Sequence, residues 1–141
     1  MKKALLFILI FCIHAVPALP QTDLITVIEA VKIKNDNRKE ALYYYENNWK
    51  LLREKALEKN FIDSFEMIVT EAADDADFDI VLITRYSNKN QFDNSEVNFQ
   101  RLIKEFITDK DGIRLMNALK PVDFRKSVFI KTGSSYLISG R

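Results

Sequence analysis

The stretch "DLITVIEAVKIKN", residues 23 to 35, predicts a β-strand that is apolar on both of its faces. Valine and isoleucine dominate it, and successive side chains of a strand point to opposite faces of the sheet. One face carries Ile25, Val27, Glu29, Val31 and Ile33, and the other carries Leu24, Thr26, Ile28, Ala30 and Lys32. A strand with this pattern is typical of a sheet that is covered on both sides.

Three further strands are predicted downstream. "SFEMIVTEA", residues 64 to 72, and "FDIVLITRYS", residues 78 to 87, flank the acidic turn "ADDAD" and predict a hairpin. A hairpin centred on that turn places Phe65 on the same face as Arg85. "SVFIKTGSSYLI", residues 127 to 138, predicts the last strand. All of these segments are largely apolar on both faces, as the first one is.

Helices are predicted between the strands. The first covers residues 37–59 and the second residues 89–107, and each starts next to an asparagine that can cap its first turn. A short helix is expected over residues 113–119, with Pro121 as its stop.

The predicted order is therefore β-α-β-β-α-β, which indicates an α+β, ferredoxin-like sandwich. In that arrangement a four-stranded antiparallel sheet carries both helices on one face. The other face, which is also apolar in this sequence, would expose a larger apolar patch than soluble monomers usually carry. We therefore expect a homodimer in which a second copy covers that face.

The start of the chain predicts export. A positively charged start is followed by an apolar run over residues 4–13, and Val16 and Ala18 fit the sites before a signal-peptidase cut. The sequence thus predicts a signal peptide over residues 1–18 and one domain over residues 19–141, found in the periplasm or secreted.

Cleavage of this signal peptide would remove the only cysteine, Cys12, and the only histidine, His14. Catalysis by Ser–His or Cys–His pairs and zinc sites built from Cys and His are then not expected. Loss of Lys2 and Lys3 would take the formal charge from +1 to −1. No nucleic acid, no membrane partner and no metal are therefore expected.

The candidate site lies in "EALYYYENNW", residues 40 to 49. Helical positions advance by about 100° per residue, so Tyr45 and Trp49 should face the sheet, while Tyr43 points away from it and should be exposed to solvent. Glu46 and Asn48 flank the helix face that carries Tyr45 and Trp49, and Arg38 lies on that face one turn earlier. A further polar residue, Glu29, lies on the first strand. The predicted ligand-binding residues are Tyr45, Trp49, Glu46, Asn48, Arg38 and Glu29. The alternative is an ordinary filled core, in which aromatic rings contribute only burial.

Glu29 is singled out because it lies between Val27 and Val31 on a strand that the fold makes central. A carboxylate on a half-buried apolar face has a raised pKa and can serve as a general acid or base. Alternatively, Glu29 pairs with Lys32 or Arg85.

The chain resembles a known group at "ENNWKLLREKALEKNFIDSFEM", residues 46 to 67, where a helix with Glu-x-x-Trp precedes a strand that opens with an aromatic residue. Together with the order of elements, this is similar to the dimeric α/β-barrel superfamily, which includes antibiotic-biosynthesis monooxygenases and NIPSNAP-like proteins. The resemblance implies a homodimer with a ligand pocket between sheet and helices. Haem-degrading members use a histidine ligand that the cleaved chain lacks, so no cofactor is expected.

Three functions remain open from the sequence. The chain binds a small apolar or aromatic molecule between the first helix and the sheet, or it is a cofactor-independent monooxygenase or isomerase, or it is a structural dimer with a filled core. A cavity between helix and sheet separates the first two from the third, and a buried polar group without a partner at its base favours the enzyme.

Overall fold

The computed structural model describes residues 24–71, 77–107 and 112–135. The predicted signal peptide with its cleavage site, most of the acidic turn, and the end of the predicted last strand lie outside the described residues. Within them, no helix is long and apolar enough to cross a membrane.

The described part of the chain contains four β-strands, five α-helices and one π-helical turn. In chain order its elements are β1 (Ile25–Ile33), α1 (Arg38–Tyr44), a π-helical turn (Tyr45–Trp49), α2 (Lys50–Glu58), β2 (Ser64–Val69), β3 (Ile80–Tyr86), α3 (Lys89–Asp93), α4 (Ser95–Phe106), α5 (Pro121–Phe124) and β4 (Arg125–Ser134). We call α1, the π-helical turn and α2 together the first helical segment, because the three follow one another without a break.

The sheet has the strand order β2-β3-β1-β4, and all its neighbouring strands are antiparallel. One helical layer connects β1 to β2 and β3 to β4. This topology is the ferredoxin-like fold, so the predicted α+β class and element order are confirmed.

Both helical connections lie on the same face of the sheet. Val31 and Leu82 pack against Tyr45 and Trp49 of the first helical segment, and Tyr86 packs with Leu102 of α4. We call this the helix-covered face. On the opposite, open face, Ile68 of β2 and Phe129 of β4 keep 44% and 39% of their surface exposed.

The predicted hairpin register was wrong by one residue. Phe65 pairs with Thr84, and Ser64 is the residue opposite Arg85. Phe65 therefore lies on the helix-covered face, while Arg85 lies on the open face and forms an ion pair with Glu66 at 3.3 Å. A one-residue slip exchanges the faces of every side chain, and strands that are apolar on both faces do not fix the register by pattern.

The helix boundaries follow identifiable local chemistry. Asn88 accepts a hydrogen bond from the backbone N–H of Gln91 at 2.9 Å, which confirms it as the predicted cap. Asn60 ends the first helical segment in a left-handed conformation with φ of 56°, which asparagine tolerates better than most residues.

The short helix predicted over residues 113–119 is not formed, and a helix occurs instead at Pro121–Phe124. Pro121 begins this helix rather than ending one, because its fixed φ and missing N–H suit the first helical position. The carboxylate of Asp123 accepts a hydrogen bond from the backbone N–H of Lys120 at 2.8 Å and closes the turn.

Candidate functional site

A cavity of about 220 Å³ lies between the first helical segment and the sheet. Its walls are mostly apolar. The aromatic wall consists of Tyr44, Tyr45 and Trp49, and the aliphatic wall consists of Leu52, Ile103, Ile107 and Ile113. Three polar residues complete the lining, namely Glu29, Asn48 and Arg125.

The π-helical turn carries three of these residues: Tyr45, Asn48 and Trp49 are all buried. The backbone N–H of Lys50 donates to the carbonyl of Tyr45, five residues back, instead of the usual four. Such single turns insert one extra residue into a helix and occur frequently at functional sites. Here the wider turn is the part of the helix that borders the cavity.

Asn48 fixes one wall of the cavity. Its Nδ2 donates to the carbonyls of Tyr44 at 2.9 Å and of Arg114 at 2.8 Å, and its Oδ1 accepts from the backbone N–H of Arg114 at 2.9 Å. Both amide hydrogens are thereby used. Asn48 thus holds the backbone beside Ile113, another lining residue, against the helix.

Tyr45 and Arg125 form the polar contact in the cavity wall. The Nη1 group of Arg125 donates to the Tyr45 hydroxyl at 3.3 Å, and the guanidinium carbon lies 5.1 Å from the centre of the Tyr44 ring and 5.7 Å from that of the Tyr45 ring. The Nε of Arg125 is buried and has no hydrogen-bond partner among the described residues. Burial raises the pKa of Tyr45 to about 12, so its hydroxyl stays protonated at neutral pH.

A β-bulge turns Arg125 toward this site. Glu29 on β1 pairs with Ile130 of β4, but the register shifts between Ala30 and Val31, so that Ile33 pairs with Arg125. Without that shift, alternation along β4 would place Arg125 on the open face. Bulges of this kind re-aim side chains. The two charged lining residues therefore share the helix-covered face.

Glu29 is half-buried and has neither of the partners that the alternative interpretation assigned to it. Lys32 lies 3.6 Å from Asp79, and Arg85 pairs with Glu66. Among residues 24–71, 77–107 and 112–135, Glu29 makes no ion pair within 4.0 Å, although its charge acts on Arg125 and Arg53.

Arg53 stands next to the cavity, stacked on one lining residue. Its guanidinium carbon lies 4.9 Å from the centre of the Trp49 ring and 4.1 Å from that of Phe99, and its Nε donates to the Thr84 hydroxyl at 3.1 Å. Burial lowers the pKa of Arg53 to about 10, which leaves it charged at neutral pH.

Four of the six predicted site residues come together at the cavity: Tyr45, Trp49, Asn48 and Glu29. Glu46 is exposed, and Arg38 donates through Nη2 to the carbonyl of Thr70 at the end of β2. Neither of these two lines the cavity. Whether the six bind a ligand stays a prediction. Tyr43 is half-buried rather than exposed.

Six lining residues were not predicted, namely the four residues of the aliphatic wall and two others, Tyr44 and Arg125. The flank of the helix that carries Tyr44 is covered by Phe124, whose ring centre is 5.7 Å from that of Tyr44. Arg125 follows directly in the chain. The only sequence signal for Arg125 would have been the correct pairing of β1 with β4.

The strand order and the site together define a ferredoxin-like α+β domain with an aromatic-lined cavity under its helices. No model of a known protein family matches the chain, and no curated protein matches it. Among solved structures, it is similar to HapK from Hahella chejuensis, with 15% identity over 83% of this chain and 96% of that one and a TM-score of 0.49. It is also similar to a dimeric protein of unknown function and ferredoxin-like fold from Bacteroides fragilis, with 12% identity over 82% and 97% of the two chains and a TM-score of 0.44. At these values the assignment of the fold rests on this chain's own topology.

Proposed function

We propose that this chain is an exported, homodimeric domain that binds a small apolar or aromatic molecule in the cavity between the first helical segment and the sheet. The observation that carries the proposal is the cavity itself, with three aromatic rings, four aliphatic side chains and a few polar groups. Apolar clefts of this composition are typical of small-molecule sites. With about 220 Å³, the cavity suits a ligand with a single ring. An open space at this position also favours binding over a filled structural core.

The binding site can be tested with the fluorescence of Trp49, since it is the only tryptophan of the chain and lines the cavity. Titration with benzyl alcohol should change its emission in a saturable manner. Ile103→Phe, which puts a larger side chain into the aliphatic wall, should abolish the change. Val97→Phe on the same helix, where Val97 is 61% exposed, is the matched control and should leave it intact. Absence of saturable binding by any small aromatic probe would contradict the proposal.

The homodimer is supported by the open face of the sheet. Ile68 and Phe129 are exposed there, and Ile28, Val81 and Ile83 are half-buried on the same face. An obligate interface of this kind should bury upwards of about 2,000 Å². Sedimentation at low micromolar concentration should give twice the chain mass, and Phe129→Lys should give monomers while Val97→Lys does not. A monomeric wild-type protein would contradict this part of the proposal.

Export is supported by the charged start of the chain, its apolar run and the Val16-x-Ala18 order. N-terminal sequencing of material from outside the cytoplasm should give a start near Leu19. Recovery of intact Met1 from the soluble cytoplasmic fraction would contradict it.

A cofactor-independent enzyme is the second candidate, and the charged groups of the cavity favour it. Glu29 lines the cavity, Arg125 carries a buried N–H donor, and neither the carboxylate nor this donor has a partner within the described part of the chain. A carboxylate so placed can remove a proton from a carbon next to a carbonyl group. Wild-type protein in heavy water should then exchange the acidic C–H hydrogens of a single-ring aromatic ketone such as phenylacetone for deuterium, and Glu29→Gln should not. Equal exchange rates for the two would contradict catalysis by Glu29.

A further inference from the structure

We infer that the ligand of this cavity carries a carboxylate, and that Tyr45 and Arg125 hold its oxygens, so that the ligand class is a small aromatic acid. This inference rests on the proposed function of the cavity as a binding site. It is carried by the hydrogen-bonding capacity that the two side chains leave unused and by the charges around them.

The Tyr45 hydroxyl has one hydrogen to donate. Its oxygen accepts from Arg125, and the described part of the chain offers no acceptor for the hydroxyl hydrogen itself. The side chain is only 2% exposed, so solvent has little access to it. A buried donor without an acceptor is destabilising, and an oxygen of a ligand in the cavity would satisfy it.

Arg125 offers several further donors beside that hydroxyl. A guanidinium has five N–H groups, and the described residues supply a hydrogen-bond acceptor for one of them, through Nη1. Carboxylates pair with guanidinium groups through two parallel hydrogen bonds, which a single hydroxyl or carbonyl oxygen cannot do. The aromatic rings of Tyr44 and Tyr45 against the guanidinium keep it in position at the wall.

The charges near the cavity favour an anion. Two guanidinium groups, Arg125 in the wall and Arg53 stacked on Trp49, face a single carboxylate, Glu29, whose charge acts on both. One positive charge is therefore left uncompensated among these three groups. In a site that is mostly apolar, such an excess selects an anionic ligand over a neutral or cationic one of the same shape.

Three probes of nearly equal size separate the possibilities, namely benzoate, benzyl alcohol and benzylamine. With Trp49 fluorescence as the readout, wild-type protein should bind benzoate about tenfold or more tightly than benzyl alcohol, because charge-assisted hydrogen bonds are worth that factor or more. Benzylamine should bind most weakly. Tyr45→Phe and Arg125→Gln should each reduce the affinity for benzoate toward that for benzyl alcohol and leave benzyl alcohol binding unchanged.

Matched controls are available elsewhere in the chain. Tyr86→Phe removes the hydroxyl of another buried tyrosine, and Arg85→Gln removes a guanidinium from the open face of the sheet. Both should preserve the preference for benzoate. Melting curves of all four variants show whether each is folded, and Tyr45→Phe, which removes one oxygen only, decides the matter if Arg125→Gln does not fold.

The outcomes distinguish this inference from the proposed function. If benzyl alcohol binds and benzoate binds no more tightly, the cavity is a binding site but the inference is overturned. If benzylamine binds most tightly, the inference is also overturned, because the negative charge of Glu29 would then determine which ligands bind. If none of the three probes binds, the proposed function fails together with the inference.

Discussion

The two ends of the helix-covered face are built differently, although the first helical segment runs through both. At one end, Ala56, Ile62, Tyr86 and Leu102 form a cluster whose border with the cavity is Leu52, together with the surrounding Ile103 and Ile107. We call it the filled end. At the other, the cavity end, the core cluster consists of Val31, Tyr45, Trp49, Ile80 and Leu82.

The two ends are covered by different segments of the chain, and this explains why only one of them contains a cavity. Ala56 is fully buried where α2 packs on α4, and a small side chain lets two helices approach closely. At the cavity end the cover includes residues near Arg114 outside regular structure, which Asn48 holds by hydrogen bonds to their backbone. A cover held by hydrogen bonds does not need interdigitating side chains, so space remains beneath it. One helical segment can therefore stabilise the fold at one end and leave space for a site at the other.

The largest effect should come from the filled end. Leu102 is fully buried there, and Leu102→Ala should lower the free energy of unfolding by about 3–5 kcal/mol, because it removes packed methyl groups and leaves a void. Trp49→Phe at the cavity end should cost only about 1 kcal/mol, since the ring it shortens already borders open space. Urea unfolding of both variants gives the two values. A larger loss for Trp49→Phe than for Leu102→Ala would mean that the cavity end is the packed one.

The second effect is a loss of folding stability at alkaline pH, from which the contribution of Tyr45 can be measured separately. Burial raises its folded-state pKa to about 12, whereas an unfolded chain has a tyrosine pKa near 10. The contribution of the buried hydroxyl is complete below about pH 10 and falls as the pH rises to about 12, because only the unfolded state loses the proton there. About 1.4 kcal/mol per pH unit, or roughly 3 kcal/mol in total, should be lost.

The Tyr45→Phe variant should not lose this part of its free energy of unfolding as the pH rises. Burial also raises the pKa of Tyr86 at the filled end, so both proteins keep that second contribution, and the difference between their pH curves reports Tyr45 alone. Urea unfolding between pH 9 and pH 12 measures it. Parallel curves for the two proteins would show that Tyr45 is not buried as described.

The element order and the buried stripe of the first helix could be predicted from the sequence. Runs rich in valine and isoleucine marked the strands, and the 100° step placed Tyr45 and Trp49 toward the sheet, where they lie buried. Both signals are local, since each depends only on residues within a few positions along the chain.

What depends on pairing between distant strands could not be predicted. The register that pairs Phe65 with Thr84 cannot be predicted from the sequence pattern, because the strands are apolar on both faces. The bulge between Ala30 and Val31 reverses the alternation along β4, and it alone brings Arg125 to the helix-covered face. Arg125 could therefore not be predicted, whereas Tyr45, Trp49, Asn48 and Glu29 could be predicted from local patterns.

The third effect tests the hydrogen-bonded cover. Asn48→Ala removes three hydrogen bonds and leaves backbone groups of Arg114 without partners, which should cost about 2 kcal/mol. Hydrogen exchange at the Arg114 amide should accelerate, whereas amides of the filled end such as Leu102 should change only with global stability. If exchange at Arg114 stays as slow as in the wild type, Asn48 does not hold the cover.

The smallest effect belongs to Tyr43, which shares the aromatic run with Tyr44 and Tyr45 but lines no part of the cavity. Tyr43 is half-buried, and its backbone carbonyl accepts a hydrogen bond from the Asn47 side chain at 2.8 Å, a contact that survives truncation of the ring. Tyr43→Ala should therefore cost about 0.5–1 kcal/mol and leave probe binding at the cavity unchanged. Trp49→Ala, which removes a ring that packs edge-on to Phe65 but borders open space on its other side, should cost about 3 kcal/mol, at the low end for such a truncation, and abolish binding. Melting curves and titrations of the two variants provide the comparison, with emission from bound probe replacing tryptophan fluorescence in Trp49→Ala. Equal losses would show that the helix is rotated relative to this description, and the division into a filled end and a cavity end would fall with it.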